Sequence, residues 1–404
     1  MSTRVLLHVG TPKTGTSYLQ DVLFRNRTVL EAAGILYPAD RFDAHFLAAL
    51  ELTRTQWGGL ERQGVGGWDR LAEAVRRHPG TAIVSHEILA TATRAEADRA
   101  IRSLGHGAGT EVHLVISARD LVRQIPAEWQ ENLKHREELS YREFLDTIQD
   151  PDRDSRIGSW FWAAQELPDI LDRWGHDLPP EQVHIITVPP AGGPRQLLWE
   201  RFSTAFGLDG LELDLEGERS NVSLGVPETT LMRRINAISS AELEPGDYRP
   251  LVTEVVAHQM LSRRTGSARL ALPPDLHPWV SELTTTWTEE LRRQGYDVIG
   301  DLDDLVGAAP SASYVDPDQP DETEVGAAAL DAIKALLLEG ARLRRREGEV
   351  QAELDEAYRA LERSYLRPTY RWRERTVRRL QDSGFGRTAL GAYRRARGRS
   401  SAPE

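Results

Sequence analysis

Cysteine is absent from this chain of 404 residues. That absence excludes disulfide bonds, thiol catalysis and cysteine-ligated metal. No stretch approaches the roughly 20 apolar residues of a membrane-spanning helix. The first residues also lack the basic-then-apolar pattern of a signal peptide. From these absences we expect a cytoplasmic protein.

Lysine is nearly absent as well, because Lys13, Lys134 and Lys334 are the only ones in the sequence. Arginine therefore carries almost all of the cationic charge. A lysine kept at position 13, inside a glycine-rich segment, indicates a chemical need for an ammonium group there. Lys134 is a further candidate for binding an anionic group.

The net charge of −12 is unevenly distributed along the chain. Between Arg367 and Arg399 eleven arginines stand against only Glu374 and Asp382. We expect this basic tail, residues 367–404, to bind the acidic remainder of the protein. Peripheral contact with an anionic membrane surface is the alternative, and we do not expect nucleic acid as a partner.

Strand patterns alternate with helix patterns over the first 190 residues. Buried strands are predicted at RVLLHVG, TAIVSHEIL, EVHLVISARD and PEQVHIITVP, with helical segments between them. This alternation predicts an α/β fold, in which helices cover both faces of a central parallel sheet and form a three-layer sandwich. Ligands of such folds bind at the carboxyl ends of the strands.

The sequence predicts four consecutive regions. Residues 1–306 form the main domain, and residues 307–323 form an acidic, proline-rich linker. Residues 324–366 form a long helix, and the basic tail follows. Apolar residues recur every seven positions in this helix, which favours a coiled coil and a homodimer through residues 327–366, although Gly340 and Glu347 interrupt one seam.

The segment HVGTPKTGTSYLQ, residues 8–20, joins the first strand to the first helix. A glycine-rich turn before a helix N-terminus forms a cradle for anions, because the first-turn N–H groups have no intrahelical partner. Gly10, Gly15 and Ser17 fit the Walker A pattern, but Thr16 occupies the position of its lysine and Lys13 stands three residues earlier. A displaced lysine suits a single 5′-phosphate that carries a transferable group. An ordinary turn or a degenerate nucleotide site is the alternative.

The motif TPKTGTS resembles the 5′-phosphosulfate loop of sulfotransferases that use 3′-phosphoadenosine 5′-phosphosulfate (PAPS). The segments IVSHEIL, ISARDLVRQIPAEWQENLK and WFWAAQELPDILDRWG are similar, in order and spacing, to the bacterial branch of that family over residues 4 to about 300. The resemblance implies a P-loop-like fold, PAPS as donor and no requirement for a metal. It also implies that PAPS is held by Thr11, Pro12, Lys13, Thr14, Gly15, Thr16 and Ser17.

The 3′-phosphate of PAPS requires a second cationic site, and the resemblance implies Arg119 at the end of a strand. An arginine fork matches a phosphate bidentately, but a salt bridge with Asp120 is the alternative. Ala127 stands where the family has a serine, which removes one expected hydroxyl contact. Later in the chain, the segment with Arg219, Ser220 and Asn221 is expected to contribute donors to the same phosphate.

Sulfuryl transfer requires a base that removes the proton of the acceptor. His86 and Glu87 follow a predicted strand, on the side where the loop lies. The resemblance implies His86 as the base, and Glu87 is the competing candidate. Because adjacent strand residues point to opposite faces, we expect one of the two to reach the acceptor. The alternative is that His86 caps the following helix.

From these features we expect a PAPS-dependent sulfotransferase, in which Lys13 also neutralises charge on the leaving oxygen. The acceptor is an unidentified hydroxyl or amine compound, for which the family suggests a carbohydrate-containing metabolite or polymer. One alternative is a kinase or nucleotide hydrolase with a variant P-loop, which would require Mg²⁺. The other is a nucleotide-binding protein of the same fold without catalysis.

Overall fold

A computed structural model of the chain describes residues 2–216 and 223–366. The chain divides into two compact units, Met1–Ile333 and Lys334–Glu404. The predicted phosphate contacts Arg219, Ser220 and Asn221 lie outside the described residues, and so does the basic tail.

A six-stranded parallel sheet forms the centre of the first unit. Its strands are β1 (Arg4–His8), β2 (Ile35–Leu36), β3 (Thr81–Ser85), β4 (Glu111–Ala118), β5 (Val183–Thr187) and β6 (Asp297–Ile299). Their order across the sheet is β2-β3-β1-β4-β5-β6. The prediction of an α/β fold with a central parallel sheet is confirmed.

The sequence predicts four of these strands but not β2 or β6. Both are short and lie at the two ends of the strand order. Their residues are partly or fully exposed, whereas the strands that the sequence predicts are largely buried. Two or three residues are too few to show a strand period in the sequence.

Helices precede and follow the strands throughout the described residues. They are α1 (Thr16–Arg25), α2 (Arg27–Ala32), α3 (Ala44–Thr53), α4 (Gly67–Arg77), α5 (Arg94–Ser103), α6 (Leu121–Lys134), α7 (Tyr141–Gln149), α8 (Arg156–Gln165), α9 (Leu167–Gly175), α10 (Arg195–Phe206), α11 (Val226–Ser239), α12 (Pro245–Tyr248), α13 (His277–Gln294) and α14 (Glu322–Leu366). A π-helix, Arg249–Met260, continues α12.

Apolar residues of the strands alternate between two cores. On β1, Val5 and Leu7 face the larger core, whose other walls are helices α3 to α9 and α13. Leu6 faces the smaller core, where α1, α2 and α10 pack. The helices thus lie on both faces of the sheet, as in a three-layer sandwich.

The strand order reverses at β1, which makes its carboxyl end a topological switch point. The chain proceeds from β1 to β2 and β3 on one side and then crosses to β4 on the other. His8 at the end of β1 is level with Ser85 of β3 and Val115 of β4. The segments that follow these three strands therefore meet at one edge of the sheet, where ligands of open α/β sheets bind.

Helix α14 begins at Glu322, two residues before its predicted start. Val325, Ala328 and Ala332 in its first turns are buried in a third apolar cluster of the first unit. The segment predicted as a linker also contacts this unit, since the Asp318 carboxylate accepts hydrogen bonds from the backbone N–H of Tyr141 at 3.0 Å and Arg142 at 2.8 Å. No helix within residues 2–216 and 223–366 is long and apolar enough to cross a membrane.

Candidate functional site

The glycine-rich loop between β1 and α1 adopts a backbone that favours glycine. Gly10 has φ 104° and Gly15 has φ 93°, both in the left-handed region. A Cβ atom at Gly10 would lie 2.9 Å from the Cα of Glu87, so the loop and the Glu87 backbone are in direct contact. Lys13 also has a positive φ of 64°, which is uncommon for a residue with a side chain.

Buried hydrogen bonds hold this loop against the end of β4. The N–H of Thr11 donates to the Ser117 carbonyl at 2.7 Å, and the N–H of Ser117 donates to the Gly10 carbonyl at 2.6 Å. The side-chain amide of Gln124 in α6 donates to the Pro12 carbonyl at 2.8 Å. The loop is thus fixed by the sheet and by α6 before any ligand binds.

A series of buried side-chain hydrogen bonds links the loop to strands β1, β3 and β4. The Thr14 hydroxyl donates to the Thr11 carbonyl at 2.6 Å and accepts from Ser117 at 2.6 Å. Ser117 in turn lies 3.1 Å from His8 Nε2, and His8 Nδ1 lies 2.8 Å from the Ser85 hydroxyl. Burial lowers the pKa of His8 to about 4, so the ring is neutral at pH 7. A neutral imidazole donates a hydrogen bond from one nitrogen and accepts one at the other, which links Ser85 to Ser117.

The loop residues divide into buried supports and partly exposed positions. Thr11, Pro12, Thr14 and Thr16 are buried, whereas Lys13, Gly15 and Ser17 are partly exposed. Helix α1 begins with Gly15 at its N-cap, without a capping side chain and without an acidic residue in its first turn. Its first-turn N–H groups and the helix dipole are therefore available to an anion.

Lys13 Nζ lies 2.5 Å from a carboxylate oxygen of Glu131 in α6. The same carboxylate lies 3.4 Å from Lys134 Nζ and 3.6 Å from His135 Nε2. Burial works against the charged form of Glu131, but the hydrogen bond from His135 and the charges of Lys13 and Lys134 prevail, and they hold its pKa well below the usual value. One carboxylate thus balances a cluster of basic groups beside the loop.

A second carboxylate, Glu128, lies deeper in the same helix. It is 2% exposed and accepts hydrogen bonds from the side chains of Gln124 at 3.2 Å and Gln165 at 3.0 Å. Burial raises its pKa to about 7, although nearby Lys13 partly opposes this shift. Neither Glu128 nor Glu131 was predicted as a site residue. The spacing of Gln124, Glu128 and Glu131 on one helical face was the available signal.

Arg119 lies beside the loop. Its Nη1 donates a long hydrogen bond of 3.4 Å to the carbonyl of Lys13. Asp120 is instead engaged by Arg123, which contacts it through both its backbone N–H and its side chain. Within the described part of the chain Arg119 has no ion pair, and burial together with the charge of Arg123 lowers its pKa to about 10. It therefore presents a positive charge next to the loop that no carboxylate of the described residues pairs directly.

His86 and Glu87 diverge at the end of β3. His86 Nδ1 accepts a hydrogen bond from the Ile88 N–H at 3.2 Å, so the imidazole caps the short 3-10 helix Glu87–Thr91. With Nδ1 occupied as an acceptor, the neutral ring carries its proton on Nε2 and has no free lone pair for a base. Burial also lowers the pKa of His86.

Glu87 points toward the loop instead. Its carboxylate accepts a hydrogen bond from Gln20 at 3.0 Å and another from Thr16 in the first turn of α1. Burial works against its charged form, but His86 and these hydrogen bonds outweigh it and lower the pKa of Glu87. Glu87 is therefore an ionised carboxylate beside the helix N-terminus at neutral pH.

An aromatic rim connects the two sides of the site, formed by Phe46, Trp57, His86 and His135. The ring of Phe46 lies 5.3 Å from that of His86 and 5.8 Å from that of Trp57, and Trp57 lies 5.0 Å from His135. His135 contacts Glu131, the partner of Lys13. The ring contacts thus run from His86, which neighbours Glu87, to His135, which neighbours Glu131. Glu87 and Glu131 both contact the loop, through Gly10 and Lys13. Phe46 and Trp57 were not predicted as site residues.

The chain that follows the undescribed residues 217–222 is attached to α6. The Gln130 side chain accepts a hydrogen bond from the Leu224 N–H at 3.1 Å and donates to the Leu224 carbonyl at 3.0 Å.

Searches against protein-family models, curated proteins and solved structures returned no match for this chain.

Proposed function

We propose that this protein transfers the sulfuryl group of PAPS to a hydroxyl or amine acceptor. The observation that carries the proposal is the pairing of two cationic positions at one edge of the sheet. Lys13 and the uncapped N-terminus of α1 form the first, and Arg119, with no ion pair among the described residues, forms the second. Two separate anionic groups on one ligand match this arrangement.

The loop suits a phosphosulfate better than a triphosphate. Thr16 replaces the Walker lysine, and the ammonium group comes instead from Lys13 at the partly exposed turn of the loop. Gly10 and Gly15 both have a positive φ, and a Cβ atom would meet Glu87 at the first and Leu198 at the second, so the conformation of the loop requires glycine at both positions. We assign the 5′-phosphosulfate to this loop and the 3′-phosphate to Arg119.

PAPS, when bound, supplies a sulfuryl group whose bond to the phosphate oxygen breaks as the acceptor oxygen or nitrogen bonds to sulfur. Lys13 would leave Glu131 and neutralise charge on the leaving phosphate oxygen. The first-turn N–H groups of α1 would bind the sulfonate oxygens. Glu128 and Glu131 would keep the Lys13 side chain on the α6 side when no anion is present.

Glu87 is the base that the geometry supports best. It is ionised, lies at the first turn of α1 and would accept the proton that the acceptor loses. His86, which the family resemblance favoured, is engaged as a helix cap. We therefore assign His86 to positioning Glu87 and the wall of the site.

The acceptor would approach through the aromatic rim. Phe46 and Trp57 are partly exposed and lie between His86 and His135 in this rim. Aromatic faces beside carboxylates suit compounds that combine apolar and hydroxyl-bearing surfaces. A carbohydrate-containing acceptor fits this description, and we propose that class.

Calorimetric titration tests the donor directly. Purified full-length protein is titrated with adenosine 3′,5′-bisphosphate without Mg²⁺, and separately with ATP plus Mg²⁺. We expect micromolar binding of the bisphosphate and little binding of ATP. Lys13→Ala should weaken the bisphosphate binding, and Lys334→Ala, which removes an exposed lysine of α14, serves as the matched control.

Each outcome separates the candidate functions. A preference for ATP with Mg²⁺ would favour a kinase or nucleotide hydrolase and contradict the proposal. Binding of the bisphosphate without release of product from PAPS on any acceptor would favour a nucleotide-binding protein without catalysis. Binding followed by turnover in an acceptor screen supports sulfuryl transfer.

A further inference from the structure

In the second unit, helix α14 carries an apolar stripe that no other described residue covers. Leu336, Leu343, Val350, Leu354 and Leu361 are each between 41% and 50% exposed. Residues 341–363 of this helix are exposed throughout. Large apolar side chains that recur at a helical period without a neighbour mark an interaction surface.

The stripe follows a seven-residue repeat. Position a is occupied by Ile333, Gly340, Glu347, Leu354 and Leu361, and position d by Leu336, Leu343, Val350 and Ala357. Leu337 and Tyr358 widen the stripe at position e. A period of 3.5 residues keeps one seam of a helix facing one partner helix, which is the geometry of a coiled coil.

We propose that α14 pairs with α14 of a second copy of this chain as a parallel, in-register coiled coil. This inference does not depend on the proposed function. The partner is a second copy because the charges that flank the stripe complement those of an identical helix, with Glu339 opposite Arg344 of the partner subunit.

The flanking charges are compatible with a parallel pair. In that arrangement position g faces position e of the next heptad, so Glu339 meets Arg344 of the partner subunit. In one antiparallel register Arg346 meets Arg346 of the partner subunit and Glu339 meets Glu353 of the partner subunit, and these like charges are unfavourable. An antiparallel register shifted by one heptad sets Arg346 opposite Glu353 of the partner subunit instead, so it is the competing arrangement that the cross-linking test below must exclude.

Glu347 forms a polar layer in the middle of the seam. In the parallel pair it faces Glu347 of the partner subunit at position a, with Arg346 of the partner subunit beside it at position g. Polar residues at a single a position fix register and direction at a cost in stability. Replacement of Glu347 by leucine is therefore expected to tighten the pair.

The absence of cysteine makes the direction of pairing directly measurable. The substitution Val350→Cys places one thiol at position d, where the two copies meet in a parallel register. The matched control Ala352→Cys places a thiol at the exposed position f, on the opposite side of the helix. Both full-length variants are oxidised mildly and separated on non-reducing gels.

We expect Val350→Cys to form the disulfide-linked dimer about tenfold or more faster than Ala352→Cys, and light scattering to give a dimer for the unmodified chain. A monomer at all concentrations would overturn the proposal, and so would equal cross-linking of the two variants. A dimer without cross-linking of Val350→Cys would overturn the parallel register.

Substitutions that change only the strength of pairing give a second test. Leu343→Glu should raise the dimer dissociation constant by about tenfold or more, whereas Ala341→Glu on the exposed b position should not. Glu347→Leu should lower it by about tenfold. A dissociation constant that Leu343→Glu leaves unchanged, while circular dichroism shows the helix intact, would overturn the assignment of the seam.

Discussion

Lys13 Nζ lies 2.5 Å from Glu131 Oε2, so the only lysine of the glycine-rich loop is paired with helix α6. Both side chains are partly exposed, at 22% and 31%. Such a pair contributes up to about 1 kcal/mol. An anion that binds the loop must compete with Glu131 for the ammonium group.

Glu131→Gln should therefore tighten the binding of adenosine 3′,5′-bisphosphate, by roughly threefold to tenfold. The substitution removes a competing negative charge and keeps the size of the side chain. Calorimetric titration measures the dissociation constant, and Glu138→Gln on the exposed surface is the control. Weaker binding in Glu131→Gln would mean that Glu131 holds Lys13 in its binding position.

Arg119→Ala should weaken bisphosphate binding by roughly 10- to 100-fold, because a charge-assisted hydrogen bond to phosphate contributes about 1.5–3 kcal/mol. Its free energy of unfolding should change little, since within the described residues Arg119 has no ion pair. Calorimetry measures the first effect and chemical denaturation the second.

Arg123→Ala, four residues further along, is the matched comparison. Arg123 pairs with Asp120, which is 2% exposed, and donates to the Pro189 carbonyl at 3.0 Å. Its removal leaves a buried carboxylate unpaired, so stability should fall by about 3 kcal/mol with a small effect on affinity. If the two variants behaved alike, the phosphate role of Arg119 would be wrong.

Glu87→Gln should reduce release of the bisphosphate from PAPS in the presence of an acceptor by about 10²–10⁴-fold. The amide keeps an oxygen that accepts from Gln20 but cannot take the acceptor's proton. Bisphosphate affinity should therefore be retained. His86→Asn should keep most of the activity, since an asparagine can also cap the 3-10 helix. Larger losses in His86→Asn than in Glu87→Gln would return the base to His86.

The fold was predictable where local sequence determines it. The buried runs of β1, β3, β4 and β5 have a strong apolar pattern, and the loop before α1 has a local glycine motif. The ends of helices that depend on contacts with distant residues could not be predicted from local sequence. Helix α1, for example, ends at its C-cap residue Asn26, whose side chain bonds the backbone of Asp214, 188 residues away.

The site follows the same division. Lys13 and Arg119 follow the carboxyl ends of strands, where ligands of α/β folds bind, so both could be singled out from the sequence. The partner of Lys13 was missed because Glu131 is 118 residues away, and no local pattern links them. Capping of the following helix by His86 was predicted only as an alternative, and the structure shows it. The strand pattern could not set the directions of His86 and Glu87, because the strand ends at Ser85 and a 3-10 helix follows.

Glu128→Gln should stabilise the protein at high pH and not at low pH. The folded-state pKa of Glu128 is about 7 against an ordinary value of 4.5, because burial disfavours its charged form. The native state therefore binds this proton more tightly than the unfolded state. Below pH 4.5 Glu128 does not lower the free energy of unfolding. As the pH rises through 7, it lowers that free energy by an amount that grows to about 3 kcal/mol.

A glutamine accepts the same hydrogen bonds from Gln124 and Gln165 without carrying a charge. The free energy of unfolding of Glu128→Gln, relative to the unmodified chain, should thus increase by about 3 kcal/mol between pH 4.5 and pH 8. Chemical denaturation at several pH values measures this difference, with Glu138→Gln as the control. A difference that stays constant with pH would mean that Glu128 is ionised in the folded protein, held by Lys13 as a second anionic partner beside Glu131.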